Sequence, residues 1–138
     1  MNEQANLDLV RAIYQAFAHG DLPTVLSHFH DDAIWHVVGD PRQVAFFGRR
    51  EGKAAMTDFF VSLAGKVEAL DCVPKAFHAF GEQVLVLGSD SGTVRATGRR
   101  YQTDWAQLFT LREGRVAQFR EFYDTASIAL AFQPEARP

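Results

Sequence analysis

The sequence predicts an α+β fold in which a cone-shaped, curved antiparallel or mixed sheet packs on N-terminal helices. Two observations support this class. Helical periodicity dominates the N-terminal half, and four long strand patterns follow one another from Val67 to Tyr123. The chain has 138 residues, of which 47% are hydrophobic and twelve are Phe, so it can form a core of ordinary size. We therefore expect one domain over residues 1–138, with an ordered core over about residues 5–132.

Three helices are expected before the long strands. Apolar residues at three- and four-residue spacing indicate an amphipathic helix over residues 6–19, which ends at Gly20. Pro23 suits the first turn of a short helix over residues 22–28. A third helix is expected to open at residues 48–52, with its apolar side formed by Ala55, Met56, Phe59, Phe60 and Leu63.

The strand patterns predict a cone with an open end. A strand is expected at residues 33–38 and a short one at 44–47. The four long strands are predicted at residues 67–80, 83–94, 99–111 and 115–123, and a last helix at 125–132. The mouth of such a cone is a favoured small-molecule site. Leu108 and Phe122 point to the other face of the sheet, which predicts a homodimer formed through that face.

One acid in the last predicted strand, Glu121, lies on the face of that strand that is expected to be buried. Alternation along this strand puts Phe119, Glu121 and Tyr123 on the face that should be buried. A carboxylate in an apolar interior costs several kcal/mol unless it is paired, protonated or facing a cavity. The sequence therefore predicts either a functional acid that faces a pocket or a structural Glu121 hydrogen-bonded to Tyr14, Trp35 or a backbone amide.

Composition argues against several other functions. The net charge of −3 provides no basic surface for nucleic acid. Cys72 is the single cysteine, and no His, Asp or Glu set has zinc-like spacing, so we expect no metal. No phosphate-binding glycine loop is present, so we expect no cofactor. No signal peptide or membrane-spanning run is recognisable, which predicts a cytoplasmic protein without a membrane partner.

The order of the elements resembles the SnoaL-like branch of the nuclear transport factor two superfamily, whose fold is also called cystatin-like. The runs that carry the resemblance are DDAIWHV at 31–37 and LREGRVAQFREFYD at 111–124. The resemblance covers essentially the whole chain and implies a deep apolar pocket and, commonly, a dimer. Its members include ketosteroid isomerases, polyketide cyclases and limonene-epoxide hydrolases, so the fold leaves the reaction open.

Comparison with the ketosteroid isomerases argues against their reaction. The resemblance would place their catalytic carboxylate at Val37 and their oxyanion-hole tyrosine at Ile13, with Tyr14 one position away. The protonated aspartate of that family would fall near Gln107. Since the first two groups are missing and the third is changed, we do not expect the familiar isomerase chemistry.

The limonene-epoxide hydrolases provide a closer match. Their Arg-x-Asp element resembles residues 88–90, and their Trp-Arg-Asp-Tyr-Phe-Asp element resembles residues 119–124. Asp90 and Glu121 would then take the acid and base positions, while Gly88 replaces the arginine. Two such acids close together would share a proton, with one pKa raised. The alternative for Asp90 is a bulge or a solvated strand end, which the glycine- and serine-rich run around it favours.

His36 is the third candidate catalytic group, because histidine titrates near neutral pH. Strict alternation places it opposite Trp35 and Val37, whereas the two family comparisons give this strand opposite orientations. Other side chains expected to bind a ligand are Trp35, Gln107, Trp105, Tyr123, Tyr14, Phe59 and Phe119.

Together these features predict a small-molecule pocket protein. We expect a cofactor-independent acid–base enzyme of the isomerase, cyclase, dehydratase or hydrolase class, acting on an apolar compound with a carbonyl group or an epoxide. Glu121 would serve as general base or acid, with Asp90 or His36 as its partner. The alternatives are a non-catalytic protein that binds a hydrophobic ligand and a dimeric interaction domain with a filled interior.

Overall fold

The computed structural model describes residues 2–134, so the two ends of the predicted domain, residues 1 and 135–138, lie outside the described residues. This part of the chain contains four helices and six strands. The helices are α1 (Glu3–Ala18), α2 (Leu22–Ser27), α3 (Lys53–Lys66) and α4 (Thr125–Phe132). The strands are β1 (Phe29–Val37), β2 (Gly48–Glu51), β3 (Val67–Phe80), β4 (Gln83–Val94), β5 (Arg100–Arg112) and β6 (Arg115–Tyr123).

The six strands form one curved, open sheet in the order β2-β1-β6-β5-β4-β3. β1 runs parallel to β6, and every other neighbouring pair is antiparallel. Buried and exposed residues alternate along β5, as expected when only one face of the sheet is covered. The helices pack on that covered face, so the predicted α+β class with a mixed, curved sheet is confirmed.

Side-chain caps explain where three helices begin. Asn2, Asp21 and Asp124 each accept a hydrogen bond from a backbone N–H three residues later, at 2.6, 3.2 and 3.1 Å. These bonds satisfy N–H groups that the first helical turn leaves without a partner. Asp124, which ends the run that carries the family resemblance, is thus the cap of α4.

The region between β1 and α3 differs from the prediction. Residues 41–47 form turns and not a strand, because the side chains of Val44, Phe46 and Phe47 are buried in the core instead of alternating between faces. Residues 48–51, expected to open a helix, form β2 and pair with β1. Gly52, at a φ of 87°, then turns the chain into α3.

The hairpin between β5 and β6, together with a shift in their pairing between Thr110 and Leu111, fixes how the site residues face one another. Arg112 and Arg115 form the last pair of the ladder, and the two residues between them both have positive φ, 51° at Glu113 and 77° at Gly114. This is the turn geometry that matches the twist of paired strands. A slip of one residue here would exchange the two faces of β6.

The outer face of the sheet carries several exposed apolar side chains. Val73, Leu87 and Phe122 are 38%, 41% and 39% exposed, on β3, β4 and β6. They fit the homodimer expected from Leu108 and Phe122, which stays a prediction. Among residues 2–134, no helix is both long and apolar enough to cross a membrane.

Two glycines provide a test of this packing. A Cβ atom at Gly88 would lie 2.4 Å from the backbone oxygen of Val73 and 2.5 Å from the Trp105 ring. We therefore expect Gly88→Ala to lower the free energy of unfolding by about 1–3 kcal/mol, as overpacking does. Gly65 in α3 has nothing within 4 Å of the same position, so Gly65→Ala should be neutral or stabilising by about 0.5–1 kcal/mol. Urea unfolding measures both, and equal stabilities would contradict the close packing at Gly88.

Candidate active site

A cavity of about 70 Å³ lies between α1, α3 and the covered face of the sheet. We call it the inner cavity. Most of its wall is apolar, and Trp35 stacks on Phe119 with their ring centroids 3.9 Å apart. Phe59 and Phe60 of α3 lie 5.1 and 5.2 Å from the Trp35 ring and extend this wall. The polar side chains that reach the inner cavity are Tyr14, Cys72, Asp90, Gln107 and Glu121.

Glu121 is held by a chain of hydrogen bonds that crosses the cavity wall. It lies opposite Gln107 in the pairing of β5 with β6, and both side chains are buried. The Gln107 amide donates through Nε2 to Oε2 of Glu121. Its Oε1 accepts a hydrogen bond from the hydroxyl of Tyr14 on α1. The expected contact between Tyr14 and Glu121 is therefore made through Gln107.

Burial, followed by the neighbouring Asp90 charge, raises the pKa of Glu121 to about 8, although the hydrogen bond from Gln107 acts to lower it. Glu121 is consequently protonated at neutral pH. Because Oε2 accepts from Gln107, a proton on this carboxyl group would be carried by the other oxygen, Oε1. The side chain is thus an acid with a defined donor atom at the wall of the inner cavity.

Asp90 has a different set of partners. Trp105 donates from Nε1 to Oδ1 of Asp90 at 2.7 Å. The pKa of Asp90 is raised to about 6, because burial and the charge of Asp71 outweigh the hydrogen bonds from Trp105 and from the Cys72 thiol, which act to lower it. Asp90 is therefore mostly ionised at neutral pH, and the alternative of a solvated strand end is not what the structure has.

Gly88, which stands where the limonene-epoxide hydrolases have an arginine, has a structural role. It pairs with Trp105 across β4 and β5, and the Trp105 ring occupies the space that a side chain at this position would need. The missing side chain lets the indole lie flat enough on the sheet to reach Asp90. Gly88 thus makes room for the Trp105 side chain that donates to Asp90.

Tyr14 is well packed although the family pattern places the tyrosine one position earlier. Its ring is stacked on Trp105 at 6.1 Å and 7°, and it meets Phe77 and Phe109 edge-on at 5.8 and 5.9 Å. Ile13 and Tyr14 both line the inner cavity. One turn of α1 therefore supplies an apolar group and a hydroxyl to the same wall.

His36, the candidate whose orientation the sequence left open, does not line the inner cavity. Trp35 and Val37 are buried, so regular alternation turns His36 to the outer face, where it lies in register with Arg49 and Arg120. Partial burial lowers its pKa, and the charges of Arg120 and Arg49 lower it further. The irregularity in the β1–β6 pairing lies earlier, between Phe29 and Ile34, and leaves this orientation unchanged.

Two further expected ligand-binding residues lie outside the cavity lining. Trp105 acts behind the wall through its bond to Asp90. Tyr123 shares the face of Glu121 but lies at the end of β6, where its ring packs 5.8 Å from Phe47. Strand alternation indicates the face of a residue but not its distance from a cavity along the strand.

Several lining residues were missed from the sequence. Cys72 is the most informative, because it pairs with Asp90 across β3 and β4 and its thiol is in contact with that carboxyl. Burial raises the pKa of the Cys72 thiol, followed by the charge of Asp90, so the group is a neutral donor. The sequence did contain a signal for them, because Leu70 and Cys72 are two residues apart on β3 and so lie on the same face of that strand. Within residues 2–134, no three His, Cys, Asp or Glu side chains come together as a metal site.

Comparisons with known proteins agree with this architecture. A solved NTF2-like protein from Burkholderia xenovorans LB400 is 30% identical, with a TM-score of 0.86 over 96% of this chain and 99% of that one. An NTF2-like protein of unknown function from Burkholderia pseudomallei K96243 is 25% identical, with a TM-score of 0.86 over 95% and 98%. TerC, which was co-crystallised with polyporic acid, is 22% identical, with a TM-score of 0.84 over 92% of this chain and 97% of that one. At this identity the similarity to TerC shows the shared fold and nothing more.

The search of curated proteins found no match. The comparison with family models found that residues 10–119 match the SnoaL-like domain. This stretch runs from α1 into β6 and includes Tyr14, Asp90 and Gln107. By this match and by the Burkholderia xenovorans structure, the chain belongs to the SnoaL-like family of the NTF2-like superfamily.

Proposed function

We propose that this protein is a cofactor-independent acid–base enzyme that acts on a compact, apolar compound with a carbonyl group or an epoxide. One observation carries the proposal: Asp90 and Glu121 face the same apolar cavity, and their pKa values are about 6 and about 8. Near neutral pH one carboxyl is therefore an ionised base and the other a protonated acid. Two carboxyl groups with separated pKa values are a recurrent means of running acid and base steps together.

The proposed proton transfers follow from this division. With a carbonyl substrate, Asp90 removes a proton from the carbon next to the carbonyl group. The electrons of the C–H bond form a C=C bond, and the carbonyl oxygen takes the proton of Glu121 to give an enol. Return of a proton to a different carbon of the conjugated system, with Glu121 recovering its own, isomerises the compound.

The same groups suit an epoxide. Asp90 then takes a proton from water, whose oxygen attacks an epoxide carbon. The C–O bond breaks, and its oxygen takes the proton of Glu121, so that the product is a diol. After epoxide opening Asp90 holds the proton and Glu121 is ionised, so solvent must restore them, whereas the isomerisation returns both groups to their starting states.

The inner cavity supports this chemistry by its size and its surface. Aromatic rings such as Trp35, Phe59 and Phe119 would hold an apolar ligand and exclude water. In such surroundings each hydrogen bond to the reacting oxygen is stronger than in water. A cavity of about 70 Å³ favours a compact ligand. TerC, which has a similar fold, was co-crystallised with polyporic acid, which supports a pocket for a small organic molecule in this architecture.

A second candidate function is binding without catalysis. Both carboxyl groups already have partners in the protein, Gln107 for Glu121 and Trp105 for Asp90, and a polar network of this kind also serves to order a binding pocket. The presence of a cavity argues against the third alternative, an interaction domain with a filled interior. Turnover separates the first two functions.

Removal of either carboxyl group should strongly reduce turnover. We expect Glu121→Gln and Asp90→Asn each to reduce the rate by about 10²–10⁴-fold, the usual contribution of a general acid or base. The assay incubates compact cyclic ketones, enones and epoxides with the protein in D2O and follows deuterium uptake, double-bond migration and diol formation by NMR. Asp104→Asn is the matched control, because Asp104 is an exposed acid on β5. Equal rates in the wild type and the Glu121 variant would refute the assignment.

The dependence of the rate on pH provides a second test. Below about pH 6 Asp90 takes up a proton and can no longer act as the base. Above about pH 8 Glu121 loses its proton and can no longer act as the acid. We therefore expect kcat/KM to follow a bell-shaped curve with its maximum near pH 7, midway between the two values. A rate that keeps rising above pH 9 would contradict the role of Glu121.

Stability should change with pH even without a substrate. Folding raises the pKa of Glu121 from 4.5 to about 8, so the folded state binds the proton more tightly than the unfolded state. This contribution is fully present below pH 4.5 and is lost as the pH rises to about 8. Relative to Glu121→Gln, the free energy of unfolding of the wild type should fall by up to about 5 kcal/mol over this range. Parallel curves for the two proteins, from urea unfolding, would show that Glu121 is not a buried, protonated acid.

A further inference from the structure

We propose that Tyr14 is a positioning residue, whose hydroxyl fixes the direction of the Gln107 amide so that Glu121 receives an N–H and not a C=O. The proposal rests on the proposed function in one respect, since Glu121 is the acid whose proton is controlled. It adds a residue from α1 that acts on the acid without contact, through the amide between them.

The geometry follows from the two ends of an amide. A carboxamide presents a C=O acceptor at one end and an NH2 donor at the other. The Tyr14 hydroxyl donates to Oε1 of Gln107, which leaves Nε2 directed at Glu121. A turned amide would offer its C=O to the protonated carboxyl and its N–H to the Tyr14 oxygen, which costs the bond that the phenolic proton now makes to Oε1; without the hydroxyl this cost is absent. The pairing of β5 with β6 keeps Gln107 and Glu121 opposite one another in either arrangement.

The two arrangements have opposite effects on the acid. An N–H donated to a carboxyl group stabilises its ionised form, whereas a C=O that accepts from it stabilises the protonated form. The Tyr14 hydroxyl therefore keeps Glu121 a stronger acid than burial alone would allow. This makes the proton of Glu121 easier to transfer to a substrate at neutral pH.

Tyr14 is itself held firmly enough for this role. Its ring is stacked on Trp105, the residue that donates to Asp90, and it touches Phe77 and Phe109 edge-on. A rigid ring limits the positions of its hydroxyl, so the direction of the bond to Gln107 is set by packing. The same aromatic stack thus connects the partners of both carboxyl groups.

Other titratable groups face Glu121 from the surrounding strands and must be kept constant in a test. They are Cys72 on β3, Asp90 on β4, Tyr101 on β5 and Tyr123 on β6. The neighbouring β1 contributes the apolar Trp35 and Val37, and α3 contributes Phe59. Burial raises the pKa of both tyrosines, so they stay neutral while Glu121 titrates, and Asp90 alone changes its charge in the same range.

The test is a titration of Glu121 by 13C NMR in protein labelled at the Glu side-chain carboxyl carbon, with Glu121→Gln assigning the signal. No substrate is present. In Tyr14→Phe we expect the pKa of Glu121 to rise by about one pH unit. Tyr101→Phe is the matched control, since it removes a buried hydroxyl beside the same acids but not one bonded to Gln107, and it should leave the pKa unchanged. An unchanged or lowered pKa in Tyr14→Phe, or an equal rise in both variants, would overturn the proposal.

Two further variants test the route through the amide, and the first of them, Gln107→Met, also applies if Tyr14→Phe does not fold. Gln107→Met removes the amide and should raise the pKa of Glu121 as well, because the N–H bond is lost. Added to Gln107→Met, the Tyr14→Phe change should have no further effect; an additive rise, or no rise in Gln107→Met, would refute the proposal. Since the titration needs no turnover, failure of the proposed enzyme function and failure of this coupling give different results.

Discussion

The hydrogen bond between Gln107 and Glu121 is the interaction on which the rest of the site depends. It gives a partner to a carboxyl group that the sheet places on its buried face, where an acid without one would strongly destabilise the fold. The bond exists because the Glu113–Gly114 turn, together with the shift in pairing between Thr110 and Leu111, sets the register of β5 against β6 at the site. The backbone geometry near the turn therefore determines which side chain lies opposite Glu121, several residues away.

Burial raises the pKa of both Asp90 and Glu121, and their different partners separate the two pKa values. Asp90 receives two bonds, from Trp105 and Cys72, which both favour the ionised form. Glu121 receives one such bond, from Gln107, and also experiences the negative charge of Asp90. The same apolar cavity therefore holds one carboxyl group that ionises near pH 6 and one that ionises near pH 8. Aromatic packing contributes directly, because Gly88 leaves the space that Trp105 needs.

Much of the fold and part of the site could be predicted from local patterns. The bounds of β3, β4, β6 and α4 agree with the prediction to the residue, because glycine turns and alternation are local signals. Alternation also placed Glu121 on the buried face, and the family resemblance identified Asp90. The same signals failed at residues 44–51, where the burial of Phe46 and Phe47 in the core outweighs local preference.

The sequence by itself determined the fold class, the order of the elements and the presence of an acid on the covered face of the last strand. Only the tertiary structure decided which groups meet that acid. Cys72, Asp90 and Gln107 lie on three different strands, Tyr14 lies on a helix, and His36 is turned to the opposite side of the sheet. The physical reason is that faces follow from periodicity along one element, whereas contacts between elements depend on register and packing, which involve distant parts of the chain at once.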